Sequence, residues 1–316
     1  MTLNQLRTFL AVAEHGSVRA AAGELVVTQA AVSASLAALQ KSLGVALLAP
    51  EGRGLRLTSA GEAYAGYVRR VLGLLEEAGR AAAAAADPEH GELRIAAVTT
   101  AAEQVLPGLL SGFRDRHPGL GIRLEAGNRD RVRALLDRHH VDLVLGGRPE
   151  PGWDVQVLAV RPHQLDVVAG PELAARAPHG EALLPWLSRQ AWLLREPGSG
   201  TRASTDALLA ELDIAPVTLM VGSNGAIKES ASVGLGVTLI SRDAVAAELA
   251  AGRLTVLPVP GTPLHRDWYL VAHPGPLPPT AARLLAYVLA RGGFQAPVPE
   301  PAGGGQGPAT PLSVKY

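Results

Sequence analysis

LRTFLAVAEHGSVRAAAGELVVTQAAVSASLAALQKSLGVALL, residues 6–48, is the stretch on which the reading of the fold turns. With Leu3 just upstream, Leu6, Phe9, Leu10 and Ala13 fall at helical spacing and form one apolar stripe. Gly16 ends that helix, and Ser17 is a suitable N-cap for a second, VRAAAGEL. After a break at Val26-Val27, Thr28 caps a third helix whose buried stripe is Val32, Leu36 and Leu39, and Gly44 closes it. Two short helices joined by a tight turn, the second opening with small polar residues, form a helix-turn-helix pattern. GRGLRLT (52–58) follows, with Gly on both sides of a turn and then alternating residues, as in a small β-wing.

Outward from the wing, residues 59–86 read as one long helix. Ser59 and Glu62 stand in capping-box spacing, and Tyr64, Val68, Val71, Leu75, Ala78, Ala82 and Ala85 alternate steps of four and three, a coiled-coil seam. The alanines at 81–86 favour helix, and Asp87-Pro88 stops it. From Gly91 strands and helices alternate: ELRIAAV, then AAEQVLPGLLSGFRDR, LGIRLEAG, NRDRVRALLDRHH and VDLVLGG. That rhythm predicts βαβ units and a mainly parallel sheet. A second block with the same rhythm runs from about 161 to 263, followed by a strand near 268–272 and a helix near 279–291. Residues 294–316, rich in Pro and Gly, read as a disordered tail.

Length and composition set the frame. At roughly 100–200 residues per domain, 316 residues imply two or three domains. With 47% hydrophobic and 18% charged residues the chain can bury a sizeable core. Twenty-nine basic residues cancel twenty-nine acidic ones, so any nucleic-acid partner has to be argued from a local surface. Residues 1–58 hold five Lys/Arg and three Asp/Glu, an excess of +2 that is balanced by −2 in the remainder. No cysteine is present, which excludes disulfides, thiolate zinc sites, iron–sulfur clusters and thiol switches. The N-terminus is too polar for a signal peptide, and no segment reaches about 18 uninterrupted apolar residues, so a cytoplasmic protein is expected.

Two segments carry chemistry. A recognition helix presents small polar residues to base edges from its first turns, and Thr28, Gln29, Ser33 and Ser35 are available there. Arg19, Lys41, Arg53 and Arg56 are the candidate phosphate contacts. From spacing alone, a plain three-helix packing unit with solvated polar residues reads equally well. The second segment is REPGSGTRAS (195–204). Its glycines allow close approach to a ligand, the following helix start offers N–H groups, Ser199 and Thr201 add hydroxyls, and Arg195 and Arg202 add charge. It lacks the spacing and Lys of a Walker loop, and the rival reading is a capped turn with surface arginines. His139-His140 reads as a solvated helix end rather than a metal site, and Arg129, Arg131 and Arg133 as a charged helix face. No nucleophile–base constellation or G-x-S-x-G motif stands in the chain, so neither an enzyme nor a cofactor is expected.

The whole arrangement resembles the LysR-type transcriptional regulators. Residues 6–48 together with GRGLRLTSAGEAY resemble that family's winged helix-turn-helix over nearly its full length. The resemblance implies DNA binding, a dimerising helix and two periplasmic-binding-protein-like α/β subdomains joined by two crossover strands. The expected division is a DNA-binding domain 1–58, a linker helix 59–87, subdomain I from 91–162 and 266–292, and subdomain II from 163–265. Two departures stand out. Where the chain enters the wing the family usually has Leu-Phe-x-Arg, and Leu47, Leu48, Ala49 and Pro50 stand here; after AVS it commonly has a basic or polar residue, and Ala34 stands here. Both remove possible DNA contacts.

The effector half resembles the CbbR-type regulators of carbon-dioxide fixation operons in AGNRDRVRALLDRHHVDLVLGGRPE, LREPGSGTR, SNGAIKESASVGLGVTLISRDAV and GRLTVLPVPGTPLHRDWYLV. That likeness implies a phosphorylated or otherwise anionic effector. The expected site lies between the subdomains, with Thr99 and Thr100 on one side, Arg195, Ser199, Gly200, Thr201, Arg202 and Asn224 on the other, and Arg148 as a second cation. The expected partners are operator DNA with half-sites about 34 Å apart or a multiple, the small anion, a second or further copies of the chain as homodimer or homotetramer, and RNA polymerase. The alternatives are a solute-binding module whose helical N-terminus only dimerises it, and an enzyme with a phosphate loop.

Overall fold

The computed structural model describes residues 1–52, 54–87 and 89–297. Its head contains α1 (Leu3–His15), α2 (Val18–Glu24) and α3 (Gln29–Leu43), the hairpin β1 (Leu48–Glu51) and β2 (Gly54–Leu57), and the long α4 (Ser59–Ala86). Each helix starts on a side-chain cap: Thr2 accepts from Gln5 N, Ser17 from Ala20 N, Thr28 from Ala31 N and Thr58 from Gly61 N. Thr58 therefore replaces the expected Ser59–Glu62 capping box. Gly16, in the left-handed region at φ 60°, ends α1, and its carbonyl accepts Leu55 N at 2.8 Å, tying the wing to the α1–α2 turn. Leu6, Phe9, Val12, Val32, Leu36, Leu39 and Leu47 form the head's core, which Ala65 and Val68 of α4 complete.

That packing corrects the expected seam. Val68 is 3% exposed inside the head, and Tyr64 packs its ring 5.5 Å from Phe9. Val71 (45% exposed) and Leu75 are open, as are Tyr67 and Leu74. The outward face of α4 thus runs through 67, 71, 74 and 78 rather than 64 and 68. Further along, α4 docks on the effector half. A Cβ on Gly73 would lie 1.7 Å from the Arg138 carbonyl, so backbone meets backbone there. Arg80 donates to the His139 carbonyl at 3.2 Å and lies 3.5 Å from Asp142. His139 is buried, bonded to Glu77 at 2.5 Å and stacked on His273, and is not the solvated helix end expected.

The effector half continues with β3 (Glu92–Val98), α5 (Thr99–Gln104), α6 (Leu106–Arg114), β4 (Gly121–Gly127), α7 (Arg129–Asp137), β5 (Leu143–Gly146) and β6 (Gln156–Ala169). Then come α8 (Pro171–Ala174), α9 (Leu183–Leu187), β7 (Trp192–Leu194), α10 (Gly200–Glu211), β8 (Thr218–Met220), α11 (Asn224–Ser232), β9 (Thr238–Ser241) and α12 (Arg242–Ala250). Last are β10 (Thr255–Val256), β11 (Leu264–Ala272) and α13 (Pro279–Arg291). The helix expected over 101–116 breaks at Val105, ahead of Pro107, which sits in the first turn of α6.

The sheet is mixed, in the order β10-β6-β11-β5-β3-β4, with β9 also on β6. Among the described strands, β4-β3-β5 and the separate β7-β8 pair run parallel. The long β6 and β11 run antiparallel, from Leu264 opposite Leu165 to Ala272 opposite Gln156. The expectation of a mainly parallel sheet fails for a topological reason: the chain crosses between two lobes twice, in opposite directions, and the two crossings pair. The first half of β6 contributes Ala159 to a core with Leu93, Ile95, Phe113 and Leu284; its second half contributes Leu165 and Val167 to another with Leu187, Trp192 and Leu239. Phe294 is buried in the first core and Gln295 exchanges two 2.8 Å backbone hydrogen bonds with Val160, so 294–297 is part of the fold; the rest of the expected tail lies outside the described residues. No single described helix is long and apolar enough to cross a membrane.

Candidate functional sites: a helix surface in the head and a cleft between the lobes

Between α2 and α3 the chain turns sharply through Val26, which takes φ +55° and is 89% exposed. With Val32, Leu36 and Leu39 facing in, the opposite face of α3 is set by the 3.6-residue repeat. Ala30, Ala34, Ala37 and Lys41 point outward along its centre, and Gln29 and Ser33 flank them on one side, all exposed. Thr28 spends its hydroxyl oxygen on the cap, and Ser35 is half-buried on the other flank, so neither sits on the outward centre line. Arg19 is exposed on α2. Arg56 is on β2, 3.9 Å from Glu51, and donates to the Leu57 carbonyl. Arg53 lies outside the described residues.

The second site is a cleft of about 290 Å³ between the lobes. Thr99 and Thr100, at the C-terminal end of β3, form one wall; Ser199, Gly200 and Thr201, at the start of α10, form the other; Arg148 and Arg195 also line it. Seven of the nine residues expected there are thus brought together, and the remaining two are not in the lining. Arg202 turns back to Asp206, one helical turn on, with both carboxylate oxygens within 2.9 Å of Nε. Asn224 is 1% exposed and sits behind the wall, where Nδ2 donates to Thr100 Oγ1 at 3.0 Å and Oδ1 accepts from Arg195 Nη1 at 2.6 Å.

A further cation, Arg266, reaches the Gly-rich turn from the crossover. It stands on β11 opposite His163 of β6, and its Nη2 donates to Ser204 Oγ on α10 at 2.7 Å. His163, stacked on Trp268 at 4.0 Å, and His265 also line the cleft. Burial lowers His163 to about 4, and its Nδ1 is buried without a hydrogen-bond partner. Arg129, taken from sequence as part of a charged helix face, lines the cleft as well. Gly198 makes the lobes' close approach possible: it takes φ +85°, and a Cβ there would lie 3.0 Å from Asn128 Nδ2 of the facing lobe. The Ser199 side chain makes no cap bond, so the first N–H groups of α10 are left to the cleft. Such a wall of hydroxyls, helix N–H groups and guanidinium suits an anion.

Comparison with known proteins finds relatives of both halves of the chain. Residues 3–62 match the family model described as bacterial regulatory helix-turn-helix protein, lysR family, and residues 86–293 match that of the LysR substrate binding domain. The HTH-type transcriptional regulator CbbR of Rhodospirillum rubrum is 35% identical over 292 residues, covering 91% of this chain and 96% of that protein. Full-length CbnR complexed with its target DNA superposes with a TM-score of 0.65 at 24% identity, over 92% of this chain and 99% of that one, a likeness of fold. The Synechocystis PCC6803 CcmR regulatory domain in complex with 2-PG is 28% identical, with a TM-score of 0.58, over 63% of this chain and 96% of that one. The chain belongs to the LysR family of DNA-binding transcriptional regulators, and its most similar curated relatives include regulators of RuBisCO operons.

Proposed function

We propose that this regulator works in the cytoplasm as a homodimer or homotetramer, without enzymatic activity, and that a small phosphorylated metabolite bound between its lobes controls its action at an operator and on RNA polymerase. The observation that carries the reading is the convergence in one cleft of Thr99 and Thr100 from one lobe, the uncapped start of α10 from the other, and Arg266 from the crossover. A ligand bridging both walls favours one closure of the lobes. Because α4 docks on the first lobe through Gly73, Glu77 and Arg80, a change of closure reaches the head through a rigid helix. The open face of α4 through Tyr67, Val71 and Leu74 supports pairing with a second copy. The 2-PG complex of CcmR supports a phosphorylated ligand. In the head, Gln29 and Ser33 read base edges, and Ala30, Ala34 and Ala37 suit contact with thymine methyl groups. Arg19, Lys41, Arg53 and Arg56 hold phosphates.

The test begins with sequencing the DNA that co-purifies with the full chain. Operator binding is then measured with and without 2-PG. Gln29→Ala is expected to cost about 1–3 kcal/mol at that operator and little on random DNA. Equal losses on both, or an operator affinity indifferent to every phosphorylated metabolite tried, contradict the reading.

A further inference from the structure

Arg195 is 5% exposed at the end of β7 and lines the cleft, yet its guanidinium is already engaged on two sides. Nε donates to Glu196 Oε2 at 2.7 Å and Nη2 to Glu196 Oε1 at 2.8 Å, a fork on both carboxylate oxygens. Nη1 donates to Asn224 Oδ1, and Asn224 Nδ2 in turn donates to Thr100 Oγ1 and, at 3.2 Å, to Glu103 Oε2 on the other lobe. Glu196 itself lines the cleft, and its side chain keeps a third of its exposure, so it has room to swing toward solvent. The hydrogen bond from Arg195 holds its carboxyl below the usual carboxylate range, so it is ionised at neutral pH.

A bidentate carboxylate on a buried arginine is the contact that an incoming phosphate or carboxylate would itself make. Resting on the anion-binding reading of the cleft, we infer that Glu196 is a tethered occupant of the effector site, which a bound anion must displace from Arg195. Three consequences follow from the geometry. The fork ends a chain that crosses between the lobes, Glu196–Arg195–Asn224–Thr100, so freeing Arg195 from Glu196 acts on the residue that holds Asn224 in that contact. The exchange discriminates among ligands, because a dianion such as phosphate replaces the lost fork with at least equal charge, whereas a monoanion such as acetate gains little over the carboxylate it removes. Glu196 therefore sets both the effector concentration at which the switch responds and its indifference to the weak monoanions abundant in a cell.

The experiment is calorimetric titration of the full chain and of Glu196→Gln and Glu196→Asp with inorganic phosphate and, separately, with acetate at constant ionic strength. Thermal unfolding confirms that each variant is folded. Glu196→Gln keeps the side-chain shape but removes the competing charge; phosphate affinity is expected to rise on the order of tenfold, and acetate binding to become measurable. Glu196→Asp keeps the charge on an arm one methylene shorter, which cannot hold both oxygens on the fork, and falls between. Phosphate bound by the parent chain but equally or more weakly by Glu196→Gln overturns the inference while leaving the anion cleft standing. If neither the parent nor Glu196→Gln binds phosphate, the anion-binding reading falls and the tethered occupant falls with it.

Discussion

The starts of α3 and α10 are built from similar residues and are finished differently. At α3 the Thr28 hydroxyl accepts the Ala31 N–H, and Thr2, Ser17 and Thr58 close the head's other helices in the same way. At α10, Ser199 stands at the same position with no cap bond, facing the cleft with Gly200 and Thr201. A capped start has one of its orphan N–H groups satisfied by its own side chain; an uncapped one leaves that N–H as well for a ligand. The head is a closed body that presents a rigid outer surface to its partner. The cleft is built with unfinished polar groups, which a bound anion would complete.

The largest effect that separates the two regions lies in the head. Val68→Asp places a charge inside a closed core and is expected to cost several kcal/mol, unfolding the head. Val71→Asp, three residues on but open, is expected to keep the melting temperature and weaken self-association in light scattering. Equal behaviour of the two would mean that the head's core does not extend onto α4.

Acid separates the regions next. His163 on the cleft floor is held at about 4, against an ordinary 6.5, chiefly by burial. Between those values the unfolded chain takes up a proton that the folded chain refuses, so stability falls as pH drops from about 6.5 toward 4. His163→Phe is expected to flatten that part of the profile in unfolding experiments, with the head's helical surface unaffected. An unchanged slope would show that His163 is solvated in the folded protein.

The smallest effect addresses the caps themselves. Thr28→Ala is expected to lower stability by about 1 kcal/mol, whereas Ser199→Ala, which removes no cap bond, is expected to leave it within error. Comparable losses at the two positions would erase the distinction between them.

How much of each region can be read from sequence follows the same division. The head is legible because its determinants are local: caps one residue before each helix, Gly16 and Gly44 just after, and the stripe Val32, Leu36 and Leu39. The exception is the α4 seam. The spacing of Tyr64 and Val68 fits a partner helix as well as the chain's own α1, and only tertiary packing decides between them. In the cleft, the Gly-rich turn and the threonines after β3 are legible, since both lie at strand ends that feed helices. Arg266 and His163 are not, because their positions depend on the pairing of β6 with β11 across about a hundred residues, and neither carries a local motif. The reassignment of Arg202 has a local signal: Asp206 follows it at the helical i,i+4 spacing and takes its charge. Asn224 begins α11 in plain view, but its burial behind the wall is a consequence of how the lobes meet.

In the proposed reading the cleft is an anion site assembled from the α10 start and Arg266, with Arg202 outside it. Titration of 2-PG into the full chain and into Arg266→Ala, Thr201→Val and Arg202→Ala tests it most directly. Removing a charge-assisted contact worth about 1.5–3 kcal/mol should weaken binding by roughly ten- to a hundredfold in Arg266→Ala. Thr201→Val should lose less, and Arg202→Ala should bind like the parent. Loss of binding in Arg202→Ala with Arg266→Ala unaffected would place the anion on Arg202 instead.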